Sequence, residues 1–220
     1  MRTDLIASIR SNQSAFGLAL TDYQIGRLAD YYDLVIKHNP LLHLVAPCSP
    51  EVFATRHILE SLTLLDHLPK GANFADVGTG AGLPAIPCLL ARDDLEAVLI
   101  ESKEKKASFL EAAVKSLDLS SRAEITNRQF AETNAADCQF VTCRALDRFT
   151  ERLPALIRWA DRRQLLLFGG NGFTEALNKA GAVFSKKLTP LSEQRYLFVV
   201  KPQAAAIDQR ASSPYSRRRR

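Results

Sequence analysis

Asp76, Gly78, Gly80 and Gly82 fall within one stretch, NFADVGTGAGLPAIP (residues 73–87), and Glu101 closes the next apolar run. Glycines grouped in this way let a ligand approach the backbone closely, and they adopt φ > 0 where other residues are strained. A second acid downstream can accept hydrogen bonds from the hydroxyls of a ribose. The pattern is therefore one for holding a nucleoside. A phosphate-binding GxxxxGK[ST] loop is excluded because no Lys-Ser or Lys-Thr follows the glycines. The dinucleotide fingerprint GxGxxG/A is met by Gly80, Gly82 and Ala85, with Glu101 at a suitable distance, so that reading and an unliganded glycine turn stay open on the loop alone. Asp76 favours a third reading. A carboxylate at the end of the strand repels a pyrophosphate in a partly desolvated cleft. S-adenosylmethionine (SAM) has no phosphate and carries a sulfonium and an ammonium group, which suit an acid.

These residues need a strand before the loop and a helix after it. From residue 73 onward short apolar runs (NFADV, LEAVLIE, AEIT, QFVTC, QLLLF) alternate with helical patterns (LPAIPCLLAR, KEKKASFLEAAVKSL), the signature of βα units in a parallel sheet covered on both faces. AVFSKKLT and RYLFVVK are separated only by PLSEQ, so they pair as a hairpin and bring antiparallel strands into the sheet. Pro84 fits the first turn of the helix after the loop, where no amide hydrogen is missed. Residues 1–70 read as a helical extension. TDYQIGRLADYYDLVIKH carries apolar residues at helical spacing behind a Thr21/Gln24 capping box, and a second helix starts at Ser49-Pro50-Glu51 and runs through FATRHILESLTLLDHL. Residues 71–201 form the nucleoside-binding domain. Residues 202–220, made of Ala, Gln, Ser, Pro and Arg, cannot build a core and read as a disordered tail.

The 220 residues suffice for one main core. The formal net charge is +5, but the tail holds Arg210 and Arg217 to Arg220 against Asp208, a local +4, which leaves the body near neutral. No apolar run is long enough to cross a bilayer and the start lacks a signal-like apolar block, which points to a cytoplasmic protein without a membrane partner. Cys48, Cys88, Cys138 and Cys143 form no CxxC pair and no cysteine–histidine spacing, so neither a zinc site nor a disulfide framework is expected. Ala46-Pro47-Cys48-Ser49 is similar to the nucleophile motif of RNA cytosine-C5 methyltransferases, but it precedes the glycine loop instead of following the fourth strand, which misplaces the thiol.

Asp76-Val77-Gly78-Thr79-Gly80-Ala81-Gly82-Leu83-Pro84 resembles the DVGTGxGLPG loop of the GidB/RsmG family of 16S rRNA guanine-N7 methyltransferases. Other segments extend the match from about Tyr31 to Lys201. Arg56-His57-Ile58-Leu59-Glu60-Ser61 resembles the family's RHxxDS helix, and Leu99-Ile100-Glu101-Ser102 with Lys105 and Lys106 its LLDSxxKR segment. Arg144-Ala145 is similar to its SRA element, and Arg195-Tyr196-Leu197 with Lys201 to its RHLVVIxK ending. The sequence departs from the pattern at Glu60 (Asp in the family), Phe130 (commonly Arg), His43-Leu44-Val45-Ala46 (NLTA) and Phe168-Gly169-Gly170, which lacks the lysine of a Lys-Gly step.

The resemblance implies an α/β class I methyltransferase (Rossmann-like) fold with a mostly parallel seven-stranded sheet, an antiparallel last strand and an N-terminal helical extension. It implies SAM as cofactor, no metal, a monomer, and 16S rRNA or the small ribosomal subunit as partner, the target being a guanine of the decoding-region loop. Carried over, Gly78, Leu83, Ala131, Glu132 and Arg144 join Asp76, Gly80, Gly82 and Glu101 around SAM, with Ala131-Glu132 by the adenine. Arg56, Lys105, Lys106 and Arg195 are candidates for RNA contact; for the two lysines a solvated helix face balanced by Glu104 and Glu111 is an equal reading. Guanine N7 offers an in-plane lone pair and no proton at neutral pH. It can attack a sulfonium methyl without a general base, which fits a sequence with no evident nucleophile–base pair. Arg144 is the candidate catalytic residue, bracing cofactor and base; its alternative is an arginine paired with Asp147 or Asp76. A catalytically silent SAM-fold protein of the ribosome and a small-molecule methyltransferase are the rival functions.

Overall fold

The computed structural model describes residues 1–134, 138–144 and 149–202. Strands β1 (Asn73–Val77), β2 (Glu96–Ile100), β3 (Ala123–Thr126), β4 (Phe140–Cys143), β5 (Gln164–Gly169), β6 (Phe184–Leu188) and β7 (Tyr196–Val200) form a seven-stranded sheet of order β3-β2-β1-β4-β5-β7-β6. The first five are mutually parallel, and β7 runs antiparallel to both β5 and β6. The expected mostly parallel sheet and its closing hairpin are both present. β1 lies between β2 and β4, so four of its five residues are buried, as a central strand covered on both faces requires. β6 is the edge, and its Ser185, Lys186 and Lys187 are exposed, which discourages pairing with another chain.

Gly169 at the carboxyl end of β5 pairs with Tyr196 at the start of β7. That register puts the β6–β7 turn on the same edge of the sheet as the loop after β1. At this edge the polar ends of several strands converge while their apolar bodies fill the core.

One face of the sheet packs under α7 (Phe149–Ala160) and α8 (Gly172–Lys179), with Val77, Val141, Leu156, Leu167, Phe173 and Phe198 buried together. The other face shares one core with the N-terminal helices: Leu5 and Ile9 of α1 (Arg2–Asn12) and Leu28 and Tyr31 of α2 (Asp22–Leu42) are continuous with Phe74, Ile86 and Leu89. Each large side chain so buried contributes about 1.5–3 kcal/mol, so the extension is part of the same folding unit and not an appendage.

The capping box at α2 is formed, Gln24 N donating to Thr21 Oγ1 at 3.2 Å and Thr21 N to Gln24 Oε1 at 2.8 Å. The Gln24 side chain also donates to the carbonyl of Ala91 at 2.7 Å, fixing the helix start on α5 (Ala85–Ala91).

Three local features differ from the sequence reading. α2 continues through Pro40 to Leu42, where a lost amide hydrogen matters little in the final turn, and ends at His43 with φ 48°. The helix at Ser49 starts as expected, with Val52 N donating to Ser49 Oγ at 3.3 Å, but after α3 (Pro50–Val52) it widens into a π-helix, Phe53–Leu59. It then resumes as α4 (Glu60–Leu62) and closes in a 3-10 turn, Thr63–His67. Pro84 does not enter the first turn of α5; it stands at the N-cap behind a cis Leu83–Pro84 peptide, and Ala85 begins the helix. The expected tail beyond residue 202, Ala145 and Asp147 lie outside the described residues.

Candidate active site

The loop after β1 turns on glycine. Gly78, Gly80 and Gly82 have φ of 68°, 59° and 92°, and at Gly82 space is lacking as well, since an added Cβ would lie 2.4 Å from Ile86 Cδ1. Two acids hold the loop from beneath. Glu101, almost fully buried at the end of β2, accepts from Gly80 N at 3.1 Å and from Lys103 N at 2.8 Å. Asp76 Oδ2 accepts from Thr79 Oγ1 at 2.6 Å and from Ala85 N at 3.3 Å. A third support comes from the extension: the buried Tyr31 hydroxyl donates to the carbonyl of Ala81 at 3.0 Å.

Above the loop opens a cleft of about 250 Å³, lined by Leu44, Val45, Ala46, His57, Gly78, Thr79, Gly80, Ala81, Leu83, Lys106 and Arg144. It joins all three layers: the segment after α2, the π-helix, the glycine loop, the end of β4 and α6 (Glu104–Ser116). Lys106 Nζ donates to the carbonyl of His43 at 3.3 Å, and Val45 N to Asn39 Oδ1 at 3.0 Å, which ties residues 43–46 over the cleft.

Arg144 is the cleft's most constrained cation. Its Nη1 donates to the carbonyl of His57 at 3.3 Å and to Ser61 Oγ at 3.0 Å. Its Nη2 donates to the carbonyl of Arg56 and meets His57 Nδ1 at 3.1 Å. Glu60 Oε1 lies 3.6 Å away, and the guanidinium carbon sits 5.9 Å from the centre of the Phe168 ring. Among the described residues the partners of Arg144 are Glu60 and the π-helix and not the Asp76 of the alternative reading, while Asp147 lies outside the described residues. Burial and the neighbouring guanidinium of Arg144 push the His57 pKa down to about 3. The imidazole is therefore neutral near pH 7 and accepts at Nδ1.

The sequence placed Asp76 beside the ligand. In the structure the side chain is fully buried under the loop and does not line the cleft. Burial pushes its pKa up to about 7, against the opposing pull of its hydrogen bonds from Thr79 and Ala85 and of Arg144. Among the described residues its Oδ1 has no hydrogen-bond partner. Arg195, expected to face RNA, instead donates from Nε to Glu60 Oε2 at 2.6 Å. It is engaged first in joining β7 to the extension, because a buried acid needs a cation more than solvent does. Ala131 and Glu132 lie in an exposed 3-10 turn after β3 (Phe130–Glu132), outside the residues that line the cleft. Lys105 and Arg56 are exposed beside it, whereas Lys106 lines it.

Phe130, which stands in place of an arginine, is buried edge-on against Trp159 at 5.7 Å. Gly169, in place of a lysine, leaves room for Phe173; an added Cβ would lie 2.6 Å from that ring. Cys48 is half-buried, does not line the cleft, and has its thiol pKa raised by burial, which disfavours a thiolate. Among the described residues no group of three or more His, Cys, Asp or Glu is placed to hold a metal ion, and no helix is long and apolar enough to cross a membrane.

Sequence reasoning passed over Tyr31, Ser61 and residues 44–46 as parts of this site. Ser61 and residues 44–46 fall in segments compared with family motifs, and Tyr31 had the signal of a phenol on the apolar face of α2 that must find a partner when buried.

The family model of GidB, rRNA small subunit methyltransferase G, matches residues 24–196, which include every element of this cleft. The chain belongs to the GidB family. The ribosomal RNA small subunit methyltransferase G of Sorangium cellulosum (strain So ce56) is 34% identical over 181 residues, 79% of this chain and 76% of that protein. The protein of the same name from Chromobacterium violaceum is 34% identical over 145 residues, 66% and 69% of the two chains.

Solved structures at low identity share the fold. Mitomycin 7-O-methyltransferase superposes with a TM-score of 0.57 at 14% identity, over 78% of this chain and 60% of that one. A SAM dependent methyltransferase from Aquifex aeolicus gives 0.52 at 14%, over 64% and 89%. This GidB-family protein is accordingly a SAM-dependent methyltransferase.

The residues fit that cofactor. Glu101 and Asp76 are buried acids under a glycine-rich loop, while Arg144 offers a cation for a carboxylate. A zwitterion with an added positive charge is answered at both ends.

Proposed function

We propose that this chain methylates N7 of a guanine in 16S rRNA, in the decoding-region loop, with naked RNA or the small ribosomal subunit as its partner. The observation that carries this reading is the state of the cleft's histidine. His57 lines the cleft, yet its Nδ1 faces the Arg144 guanidinium and its pKa is about 3, so it cannot take up a proton near pH 7. An exocyclic amine would need a base at this point. N7 needs none, because its lone pair lies in the base plane and carries no proton.

Bound SAM supplies an electrophilic methyl group on a sulfonium. Gly78, Gly80, Gly82 and Leu83 would provide the surface for the cofactor, and Glu101, which also accepts from Gly80 N and Lys103 N, would accept from its ribose hydroxyls. Ala131 and Glu132 would flank the adenine, and Asp76, beneath the loop, would contribute charge without contact. Arg144, held rigid, borders the space where the base must stand. Leu44, Val45 and Ala46 close that space to water. Alignment of this kind alone can supply up to about 7–11 kcal/mol of a barrier. Arg56 and Lys105 at the rim and Lys106 in the wall favour phosphates, and each phosphate contact adds about one unit to the salt dependence of RNA binding.

The test uses SAM labelled in its methyl group and small subunits from cells lacking this chain. Label recovered as 7-methylguanine in 16S rRNA, mapped by borohydride reduction and aniline cleavage, is the expected result. Retained SAM binding with no label in RNA would favour the silent ribosome-binding protein that the Gly169–Phe173 packing leaves as the second reading. Label in a small metabolite would contradict both.

A further inference from the structure

Glu60 lies behind Arg144, outside the residues that line the cleft, and has no role in the reading above. It is 2% exposed, yet it faces two arginines from distant parts of the chain, Arg195 at 2.6 Å and Arg144 at 3.6 Å. Arg144 follows β4, Arg195 precedes β7, and Glu60 opens α4 at the point where the π-helix ends. A carboxylate buried between two guanidinium groups fixes both, because moving either one leaves a charge unpaired in a poorly solvated place.

The π-helix completes the arrangement. Its hydrogen bonds reach five residues back, as from Glu60 N to the carbonyl of Thr55. This widening shifts the Arg56 and His57 carbonyls out of the ordinary ladder, and both accept from Arg144. Ser61, one residue beyond Glu60, receives Nη1 of the same guanidinium. Residues 56 to 61 thus present two carbonyls, an imidazole nitrogen, a carboxylate and a hydroxyl to a single side chain. Such local widening of a helix is often found where function demands a particular orientation.

We propose that Glu60 is a positioning residue for methyl transfer: with the π-helical turn it holds Arg144 at the cleft and, through Arg195, locks the β6–β7 turn to the same point. The inference rests on the methyltransferase reading for its catalytic consequence, but the clamp itself is a property of the chain. Glu60 acts through Arg144, so its contribution disappears when Arg144 is absent.

The test is a double-mutant cycle of Glu60→Gln and Arg144→Ala, with Glu60→Asp as the conservative control, assayed by methyl transfer to unmethylated small subunits. Glu60→Gln keeps the shape and removes the charge. Because orientation is sensitive to small displacements, it is expected to lower kcat by about tenfold or more and to leave KM for SAM within about threefold. Glu60→Asp is expected to recover most of that loss. In the Arg144→Ala background Glu60→Gln should cost less than about twofold, the mark of two residues acting as one unit. Equal losses in both backgrounds would overturn the proposal, as would a Glu60→Gln protein with wild-type kcat.

A readout independent of catalysis comes from NMR of the Arg144 guanidinium. Its Nη protons should give separate, slowly exchanging signals in the wild-type chain and averaged signals in Glu60→Gln. Slow exchange in both proteins would also refute the clamp. Should the wild-type chain transfer no methyl group at all, the functional reading fails while this spectrum still decides the clamp.

Discussion

The two ends of the cofactor-binding edge are built differently. At the extension side, the buried Tyr31 hydroxyl holds the glycine loop at Ala81, and His57, Glu60 and Ser61 hold Arg144 through part-buried hydrogen bonds and an ion pair. At the far side, beyond β2, Ala131 and Glu132 sit on an exposed turn whose capping hydrogen bonds are local, Gln129 N donating to Glu132 Oε2 at 3.3 Å. On the proposed reading, the end where the methyl group moves is held by contacts within the chain, whereas the end assigned to the adenine is open. That division suits catalysis by alignment, since only the reacting end gains from rigidity.

Substitutions that strike the rigid side should therefore cost most. Gly82→Ala forces a Cβ to within 2.4 Å of the buried Ile86 at φ 92°. A loss of about 2–3 kcal/mol in SAM affinity is expected, read by calorimetry as an affinity some fiftyfold weaker. If Gly82→Ala bound as well as wild type, the loop would not be the rigid element claimed here.

Tyr31→Phe is next. It leaves the Ala81 carbonyl without its donor in a buried place, a cost of about 1–2 kcal/mol visible in the denaturation midpoint and in SAM affinity together. A change in stability with no change in affinity would separate the extension from the loop it supports.

Asp76 sharpens the comparison through pH. Its folded pKa of about 7 exceeds the ordinary value of about 3.9, so the folded chain binds more protons between those limits. The stability this group contributes is present below about pH 4 and is lost as pH rises to 7. A positive ligand favours the ionised carboxylate, so SAM should bind more tightly as pH rises towards 7, by at most about tenfold per unit and with a proton released, and its affinity should level off above that pH. Asp76→Asn should flatten both profiles, measured by calorimetry in buffers of different ionisation enthalpy.

The smallest effect is expected at the open end. Glu132→Ala removes an exposed capping side chain and should change stability by no more than about 0.5 kcal/mol, with SAM affinity lowered a fewfold.

The same contrast explains what could be read from the sequence. The βα alternation, the Thr21 cap, the hairpin and the glycine loop depend on neighbours a few residues apart, and the chain writes those relations directly. The clamp does not. Glu60 meets Arg195 across 135 positions and Arg144 meets Ser61 across 83, so only the folded topology brings them together. The π-helix was equally hidden, because FATRHIL has the apolar spacing of an ordinary helix and the Arg144 that its carbonyls meet lies some way along the chain. Asp76 was placed correctly at the end of β1, but its complete burial depends on how Thr79 and α5 close over it.

Hydrogen exchange with and without S-adenosylhomocysteine tests the division most directly. We expect the amides of residues 57–61 and 78–83 to be protected already in the free protein and to change little, while residues 128–134 gain protection when the ligand binds. Fast exchange around 57–61 that slows only in the complex would show that the transfer end is assembled by its cofactor, contrary to this account.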